Sequence, residues 1–371
     1  MLKLPNIQIL RAVAALAVVF YHAGIETTNI CKAVGKTCSY DFWVGAFGVP
    51  LFFIISGFIM VTTSWNSFGV KGAPLDFMRR RITRIVPLYW LVTTVAVVGI
   101  ILSPSMLNVP VLDPLYIAAS YLFWPIERVN GLVRPIANLG WTLNLEMMFY
   151  VVFMVTLLFN RTRGLILGIA FLAGMSLLQS AGIFAKASPL HSVPLNFWAD
   201  PIILNFIMGM LIAVIYRKGF RVNFTQSILL VAIALVGILL VGNFSGTLDA
   251  MSEDHIVNRI AAMIPMMALF VAGALGPQVN VEQKLWRAGI SVGDASYSLY
   301  LIHPFILRPA AKIWAKLVGN HLPVWTFTVT AIFLALAIGS IVYLYFERPL
   351  TKYFGRKPKL LQAEIRMKLA L

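Results

Sequence analysis

The sequence predicts an all-α, polytopic integral membrane protein with about ten transmembrane helices, and three observations carry that prediction. The chain of 371 residues is 60% hydrophobic and only 12% charged, whereas soluble domains carry roughly 25% charged residues. Its mean hydropathy is +0.84. Apolar runs recur along most of the chain, and about 20 apolar residues suffice for one transmembrane helix. This composition excludes an ordinary cytosolic enzyme.

Ten apolar segments are predicted to cross the membrane. They are 7–24, 44–64, 84–103, 139–159, 165–184, 200–216, 225–243, 258–276, 296–318 and 323–346. The segment 115–125 is too short to cross, so we expect an interfacial or re-entrant piece with Tyr121 and Trp124 at headgroup level. Lys3 precedes the first apolar run as in a signal peptide, but Arg11 interrupts that run and no clean cleavage site follows. The first segment is therefore expected to be a retained span.

The charge of the chain is explained by topology. The sequence has 30 Lys and Arg against 14 Asp and Glu, a net charge of +16. If both termini are cytoplasmic, most basic residues fall in cytoplasmic segments, as the positive-inside rule requires. No basic surface with interleaved aromatic residues is left over, so we expect no nucleic-acid partner. Residues 1–346 are predicted to form one membrane-embedded domain, and residues 347–371 a basic cytoplasmic tail that lies on anionic membrane lipid.

Cys31 and Cys38 both fall in the first predicted outer loop, residues 25–43. In an oxidising compartment they can form a disulfide, and the spacing is equally compatible with two free thiols. The sequence contains no metal-ligand cluster and no P-loop or nucleophile-elbow motif, so no metal site is predicted.

Arg11 and His22 are two ionisable residues in the first predicted span. They are eleven residues apart, which places them within about 20° of each other around a helix and roughly 16 Å apart along its axis. A snorkelling arginine and a structural histidine bonded to a backbone carbonyl would explain each residue alone. Their shared face favours one linked site, with Arg11 at the cytoplasmic mouth and His22 deeper in the membrane.

A run of arginines precedes the third predicted span. Arg81 and Arg84 are three residues apart and project together at the predicted start of that helix, where unpaired backbone N–H groups favour anions. Arginine binds phosphate through two parallel hydrogen bonds. The pattern favours a polyphosphate site that faces the cytoplasm, and a plain positive-inside anchor is the alternative.

Glu146 lies about one and a half turns inside the fourth, strongly apolar span. An unpaired carboxylate is costly there, so we expect it to be protonated or paired. His22 or one of the arginines is the expected partner, and a carboxylate bound to His22 would fix the imidazole for general base catalysis. A structural pair between two helices is the alternative.

Two weaker signals have a structural interpretation as the default. His303 precedes Pro304 within the ninth span, and we expect it to bond the backbone carbonyl that the proline frees. Ser56 and Gly57 in the second span suit close helix packing.

Together these residues suit the transfer of an acyl group from a phosphorylated, long-armed donor such as acetyl-CoA. Arg11, Arg81 and Arg84 would hold its phosphates, and His22 would act as general base or accept the acyl group. The main alternative is a proton-coupled transporter or flippase with a relay from His22 to Glu146, although no internal repeat supports it. A non-catalytic scaffold in glycan assembly is a further alternative.

The sequence also resembles the acyltransferase 3 family of bacterial membrane O-acyltransferases, near its exopolysaccharide acetyltransferase branch. The resemblance covers roughly residues 5–346 and rests on motifs that occur in the family's order. They are 10–15 (LRAVAA) with 20–22 (FYH), 48–58 (GVPLFFIISGF), 80–90 (RRITRIVPLYW), 141–146 (WTLNLE), 297–304 (YSLYLIHP) and 346–349 (FERP).

The resemblance implies a ten-helix acyltransferase domain in the inner membrane, with an essential histidine in the first span that matches His22. It also implies a basic residue at Arg11, the paired arginines at Arg81 and Arg84, and the acid at Glu146. Relatives acylate glycans or small antibiotics, so the expected acceptor is a glycan or lipid-linked oligosaccharide, with proteins of glycan assembly as partners. The family often has Asp where this chain has Pro50, and Asp41 is a candidate substitute.

Overall fold

A computed structural model of the chain describes residues 4–40, 42–102, 113–128, 131–184, 189–244, 256–319 and 321–354. Nearly all regular structure in these residues is helical, and one isolated antiparallel bridge joins Glu127 to Val133. The predicted all-α class is confirmed. Asp41 and the tail beyond residue 354 lie outside the described residues.

The described residues form fourteen α-helices. These are α1 (Pro5–Ala33), α2 (Gly48–Ser64), α3 (Ala73–Leu102), α4 (Pro114–Tyr121), α5 (Trp141–Thr156), α6 (Arg161–Ser180), α7 (Pro189–Trp198), α8 (Leu204–Arg217), α9 (Phe224–Phe244), α10 (Ile256–Leu275), α11 (Lys284–Asp294), α12 (Ser296–Leu317), α13 (Trp325–Val342) and α14 (Arg348–Phe354). Short 3₁₀ turns precede α2, α5 and α8, and a π-helical turn, Tyr343–Glu347, joins α13 to α14.

Helices occupy all ten predicted spans. Among the described residues, eight helical stretches are long and apolar enough to cross a membrane: Pro5–Ala33, Trp43–Ser64, Ala73–Leu102, Asn138–Thr156, Arg161–Ser180, Val193–Arg217, Phe224–Val241 and Trp325–Phe354. The other two predicted spans coincide with α10, whose described apolar part is the shorter Met263–Leu275, and with α12. Arg308, Lys312 and Lys316 lower the hydropathy of α12.

The predicted start of the third span is wrong. Helix α3 begins at Ala73, well before the predicted residue 84, and Asp76 in its first turn forms an ion pair with Arg80. An acidic residue is favourable at a helix N-terminus, because the helix dipole is positive there. The ion pair between Asp76 and Arg80, which are four residues apart, also stabilises this first part of the helix. Arg81 and Arg84 therefore lie inside the helix, and its unpaired terminal N–H groups cannot contribute to an anion site at these residues.

Helix α2 lies at the centre of the fold and packs closely against α8. A side-chain carbon at Gly57 would stand 2.1 Å from the Phe206 carbonyl oxygen, and one at Gly209 would stand 2.0 Å from that of Ile54. Only glycine permits this reciprocal contact, which is a common way for helices to associate in membranes. The packing role predicted for Gly57 is confirmed.

Helix α1 is the second organising element, because α11, α12 and α13 pack along it. Asn6 ties its N-terminus to the end of α10, with its side-chain amide donating to the Gly273 and Pro277 carbonyls. At the other end, a disulfide joins Cys31 to Cys38. The sequence is compatible with a disulfide or with two free thiols, and the structure contains the disulfide.

The short segment 115–125 contains helix α4, which docks on α3. The hydroxyl of Tyr89 donates to the Ser120 carbonyl at 2.8 Å, and the indole of Trp90 donates to the Tyr121 carbonyl at 2.9 Å. Helix α4 is 8 residues long, too short to cross a bilayer. These bonds hold the segment against α3.

Candidate functional site

A cavity of about 90 Å³ lies where α1, α2, α3, α5 and α12 meet. Four of the five predicted site residues line it, although they come from three different helices. The polar residues of its wall are Arg11, Ser56, Arg81, Arg84, Thr142, Glu146, Tyr150, Ser296, Tyr297 and Tyr300. Apolar side chains complete it, and most of them belong to α2, among them Val49, Phe52 and Phe53.

The three arginines of the cavity contact no counter-ion among the described residues. Arg11 and Arg81 are each only 8% exposed, and Arg84 is half-buried. None of the three forms an ion pair within 4 Å with a described residue. Isolated charges are costly to bury, so this wall favours an anion in the cavity.

The environment of Arg81 shows what partly offsets its burial. Its guanidinium carbon lies 5.4 Å from the centre of the Phe77 ring and 5.8 Å from that of Tyr150, which are cation–π distances. Its Nε is buried and has no hydrogen-bond partner among the described residues. Arg11 makes one such bond, from Nη1 to the Gln8 side-chain oxygen at 3.0 Å.

Glu146 accepts hydrogen bonds from two hydroxyl groups in the cavity wall. Ser56 donates to its Oε1 at 3.1 Å, and Tyr150 donates to the same oxygen. Neither expected partner bonds to it: the His22 imidazole faces other groups, and Glu146 forms no ion pair within 4 Å with an arginine of the described residues. Ser56, for which packing is the default expectation, is therefore part of the site.

A second carboxylate lies close to the arginines. Glu347, in the π-helical turn, is 6% exposed and accepts hydrogen bonds from the backbone N–H and the hydroxyl of Ser298 near the start of α12. It acts on Arg11 electrostatically, as do Asp294 and Glu146, but at more than 4 Å. Glu347 thus caps α12, where N–H groups lack helical partners. π-Helical turns are frequent at functional sites.

His22 lies outside the cavity wall and pairs with a histidine of α12. Its Nδ1 is 2.9 Å from the Val18 carbonyl oxygen and 3.3 Å from Nε2 of His303. His303 is fully buried, and its own Nδ1 is 3.1 Å from the Leu299 carbonyl oxygen. Nε2 of His22 makes no hydrogen bond to a described residue.

Tyr300 is shared by the cavity wall and the surroundings of the histidine pair. It lines the cavity, its hydroxyl is 2.9 Å from that of Thr142, and its ring centre is 6.3 Å from that of His303. Phe52 packs edge-on against the same tyrosine. Tyr300 therefore contacts both the cavity and the histidine pair.

Sequence reasoning missed the contact between His303 and His22. His303 bonds the Leu299 carbonyl, one residue before the Tyr300 carbonyl that Pro304 frees, and its other ring nitrogen faces His22. Tyr300 and His303 are three residues apart and share a helix face. That shared face is the signal that could have linked His303 to the site.

Comparison with known proteins agrees with the family resemblance. A family model described as an acyltransferase domain, that of the acyltransferase 3 family, matches residues 4–344. The exopolysaccharide production protein ExoZ of Rhizobium meliloti (strain 1021) is 32% identical over 323 residues, which are 86% of this chain and 93% of the relative. No solved structure matches.

Two further relatives carry enzyme names. The acyltransferase MdmB of Streptomyces mycarofaciens is 26% identical over 385 residues, covering 96% of this chain and 93% of the relative. The O-acetyltransferase OatA of Staphylococcus aureus (strain NCTC 8325 / PS 47) is 24% identical over 94% of this chain and 57% of its own length. These matches confirm the enzyme interpretation over a transporter or flippase. Since the family model spans nearly the whole chain, the protein belongs to the acyltransferase 3 family of membrane O-acyltransferases.

Proposed function

We propose that the protein transfers an acetyl group from cytoplasmic acetyl-CoA to a hydroxyl group of a glycan in the inner membrane. The observation that carries this proposal is the cavity with Arg11, Arg81 and Arg84, whose charges contact no counter-ion in the part of the chain that the structure describes. The phosphates of coenzyme A would be the counter-ions of these arginines, because arginine binds phosphate through charge-assisted hydrogen bonds.

The volume of the cavity fits the narrow arm of the donor. Pockets that hold an entire drug-sized ligand measure roughly 300–1,000 Å³, whereas this cavity measures about 90 Å³. The nucleotide would therefore remain at the mouth, with its phosphates on the arginines. The pantetheine arm would extend past Ser56 and Glu146 towards Tyr300, so that a shift of the Tyr300 side chain brings the thioester to His22.

His22 then acts as the general base, through the Nε2 atom that has no described partner. This nitrogen takes the proton from the acceptor hydroxyl while the hydroxyl oxygen attacks the thioester carbonyl carbon. The carbon–sulfur bond breaks, and the thiolate of coenzyme A leaves and takes the proton from His22. An acetyl group carried on His22 between donor and acceptor is the second route.

The glycan acceptor is inferred from the relatives. One relative is named as an exopolysaccharide production protein and another as an O-acetyltransferase. Both termini would be cytoplasmic, and the Cys31–Cys38 disulfide supports this orientation because it lies at the end of α1 that would then face the oxidising side. The acceptor would approach His22 from that side.

The proposal is tested with radiolabelled acetyl-CoA, membrane vesicles that contain the protein, and an exported polysaccharide or its lipid-linked precursor. We expect label on the glycan with the wild type and a loss of about 10³-fold or more with His22→Ala, since general base catalysis contributes about 10²–10⁴-fold. The variant should reach the membrane at the wild-type level. A wild type that moves the glycan across the vesicle without labelling it, or a His22→Ala variant of near wild-type rate, would refute the proposal.

A further inference from the structure

The histidine pair determines where the protons of both imidazoles lie. Nδ1 of His22 faces the Val18 carbonyl oxygen at 2.9 Å, and Nδ1 of His303 faces the Leu299 carbonyl oxygen at 3.1 Å. A carbonyl oxygen only accepts hydrogen bonds, so each Nδ1 must carry a proton. In a neutral imidazole the other nitrogen, Nε2, is then unprotonated.

This assignment makes the contact between the two rings directional. Nε2 of His303 is 3.3 Å from Nδ1 of His22, so His303 accepts and His22 donates. The Nδ1–H group of His22 is shared between the Val18 carbonyl oxygen and the His303 ring. Nε2 of His22 is left as the basic nitrogen of the pair, as the proposed transfer requires.

From this geometry we infer that His303 is the positioning residue of His22, a role that a carboxylate fills in other histidine-based sites. It holds the His22 ring in the tautomer whose Nε2 accepts the proton of the acceptor hydroxyl. It also accepts the Nδ1–H bond when His22 becomes positively charged. The inference rests on the proposed function, because it assigns a role within that reaction.

The position of Glu146 is consistent with this assignment. Its carboxylate oxygen is held by Ser56 and Tyr150 in the cavity wall, and no described carboxylate bonds to His22. His303 is fully buried on α12, and its contact crosses from α12 to α1. No described carboxylate therefore competes with His303 for the Nδ1–H group of His22.

Three substitutions at residue 303 separate positioning from simple packing. Glutamine can place an amide oxygen where His303 has Nε2, so His303→Gln retains the acceptor for His22. Asparagine reaches only as far as Nδ1, so His303→Asn retains the bond to Leu299 alone. His303→Leu keeps most of the volume and removes both bonds.

We expect His303→Leu and His303→Asn to lower kcat for acetyl transfer by about 10²-fold, within the range that general base catalysis contributes. The KM for acetyl-CoA should stay within about twofold, since the arginines are untouched. His303→Gln should recover kcat to within about fivefold of the wild type. Wild-type kcat in His303→Leu, or equal losses in the glutamine and leucine variants, would overturn the inference.

A measurement that needs no activity distinguishes this inference from the proposed function. Nitrogen-15 NMR of histidine-labelled protein in lipid nanodiscs reports which ring nitrogen is protonated, and His22→Ala and His303→Ala identify the two resonances. We expect Nδ1-protonated, neutral rings for both residues, and a shifted Nδ1–H resonance of His22 in His303→Leu. The opposite tautomer of His22 would overturn the inference, whereas absence of acetyl transfer by the wild type would refute the proposed function alone.

Discussion

The two ends of the proposed reaction path differ in how completely their polar groups are satisfied. At the arginine end, the guanidinium groups of Arg11 and Arg81 are buried and contact no carboxylate of the described residues, and the Nε of Arg81 has no hydrogen bond to any of them. At the histidine end, both Nδ1 atoms of His22 and His303 face backbone carbonyl oxygens within 3.1 Å.

This difference indicates that the two ends depend on a ligand to different degrees. A buried charge without a partner is costly, and a bound anion would remove that cost. Hydrogen bonds that already hold a base in one orientation need no rearrangement when the reaction begins. We therefore expect substitutions at the arginine end to affect donor binding, and substitutions at the histidine end to affect the chemical step.

The largest expected effect at the arginine end follows from Arg81→Gln. Loss of charge-assisted hydrogen bonds to a phosphate costs about 1.5–3 kcal/mol, so we expect the KM for acetyl-CoA to rise by about 10- to 150-fold. The KM for the acceptor should stay within about twofold. Steady-state kinetics with each substrate varied in turn measure both values.

Arg80→Gln is the matched control for this experiment. Arg80 is the neighbouring residue of the same helix, but its guanidinium is paired with Asp76. We expect it to change the KM for acetyl-CoA by less than about twofold, since an exposed pair one turn apart contributes only a few tenths of a kcal/mol. Equal effects of the two substitutions would show that general positive charge, and not the cavity, binds the donor.

A smaller effect is expected between the two ends, where the Tyr300 and Thr142 hydroxyl groups are 2.9 Å apart. Tyr300→Phe and Thr142→Val each remove this bond and keep the shape of the side chain. Without this bond the Tyr300 side chain should shift more easily, so that the thioester reaches His22 more often in the absence of an acceptor. Since one hydrogen bond contributes about 0.5–1.5 kcal/mol, we expect hydrolysis of acetyl-CoA without acceptor to rise by about 2- to 10-fold. The release of free coenzyme A measures it.

The double variant shows whether the two substitutions act through the same bond. If they do, Tyr300→Phe with Thr142→Val should hydrolyse acetyl-CoA no faster than either single variant, because each single substitution already breaks the bond between the two hydroxyl groups. Additive increases would mean that the two substitutions do not act through this bond.

Much of the fold could be predicted from the sequence, because apolar segments of sufficient length have few structural options in a membrane. Helices lie at all ten predicted positions. The predicted start of α3 at residue 84 is wrong. The helix begins eleven residues earlier, at Ala73, and these residues are too polar to be recognised by hydropathy. Helix ends depend on local pairs such as that of Asp76 with Arg80, which hydropathy does not detect.

The candidate site was predicted less completely. Helical spacing correctly placed Arg81 and Arg84 on one face, and both line the cavity. The partners of Glu146 and His22 depend on contacts between helices that are distant in sequence, which spacing within one helix cannot determine. The Glu146 carboxylate therefore bonds to Ser56 and Tyr150, and His22 faces His303.

The most direct test of the central claim compares acetyl-CoA with acetylpantetheine, which carries the same thioester and no phosphate. If the cavity arginines bind the phosphates, the wild type should prefer acetyl-CoA by about 10²–10³-fold in kcat/KM, equivalent to about 3–4 kcal/mol. In Arg81→Gln with Arg84→Gln the preference should fall to about tenfold or less, while kcat/KM for acetylpantetheine changes little. An unchanged preference in the double variant would contradict the claim that these arginines hold the donor.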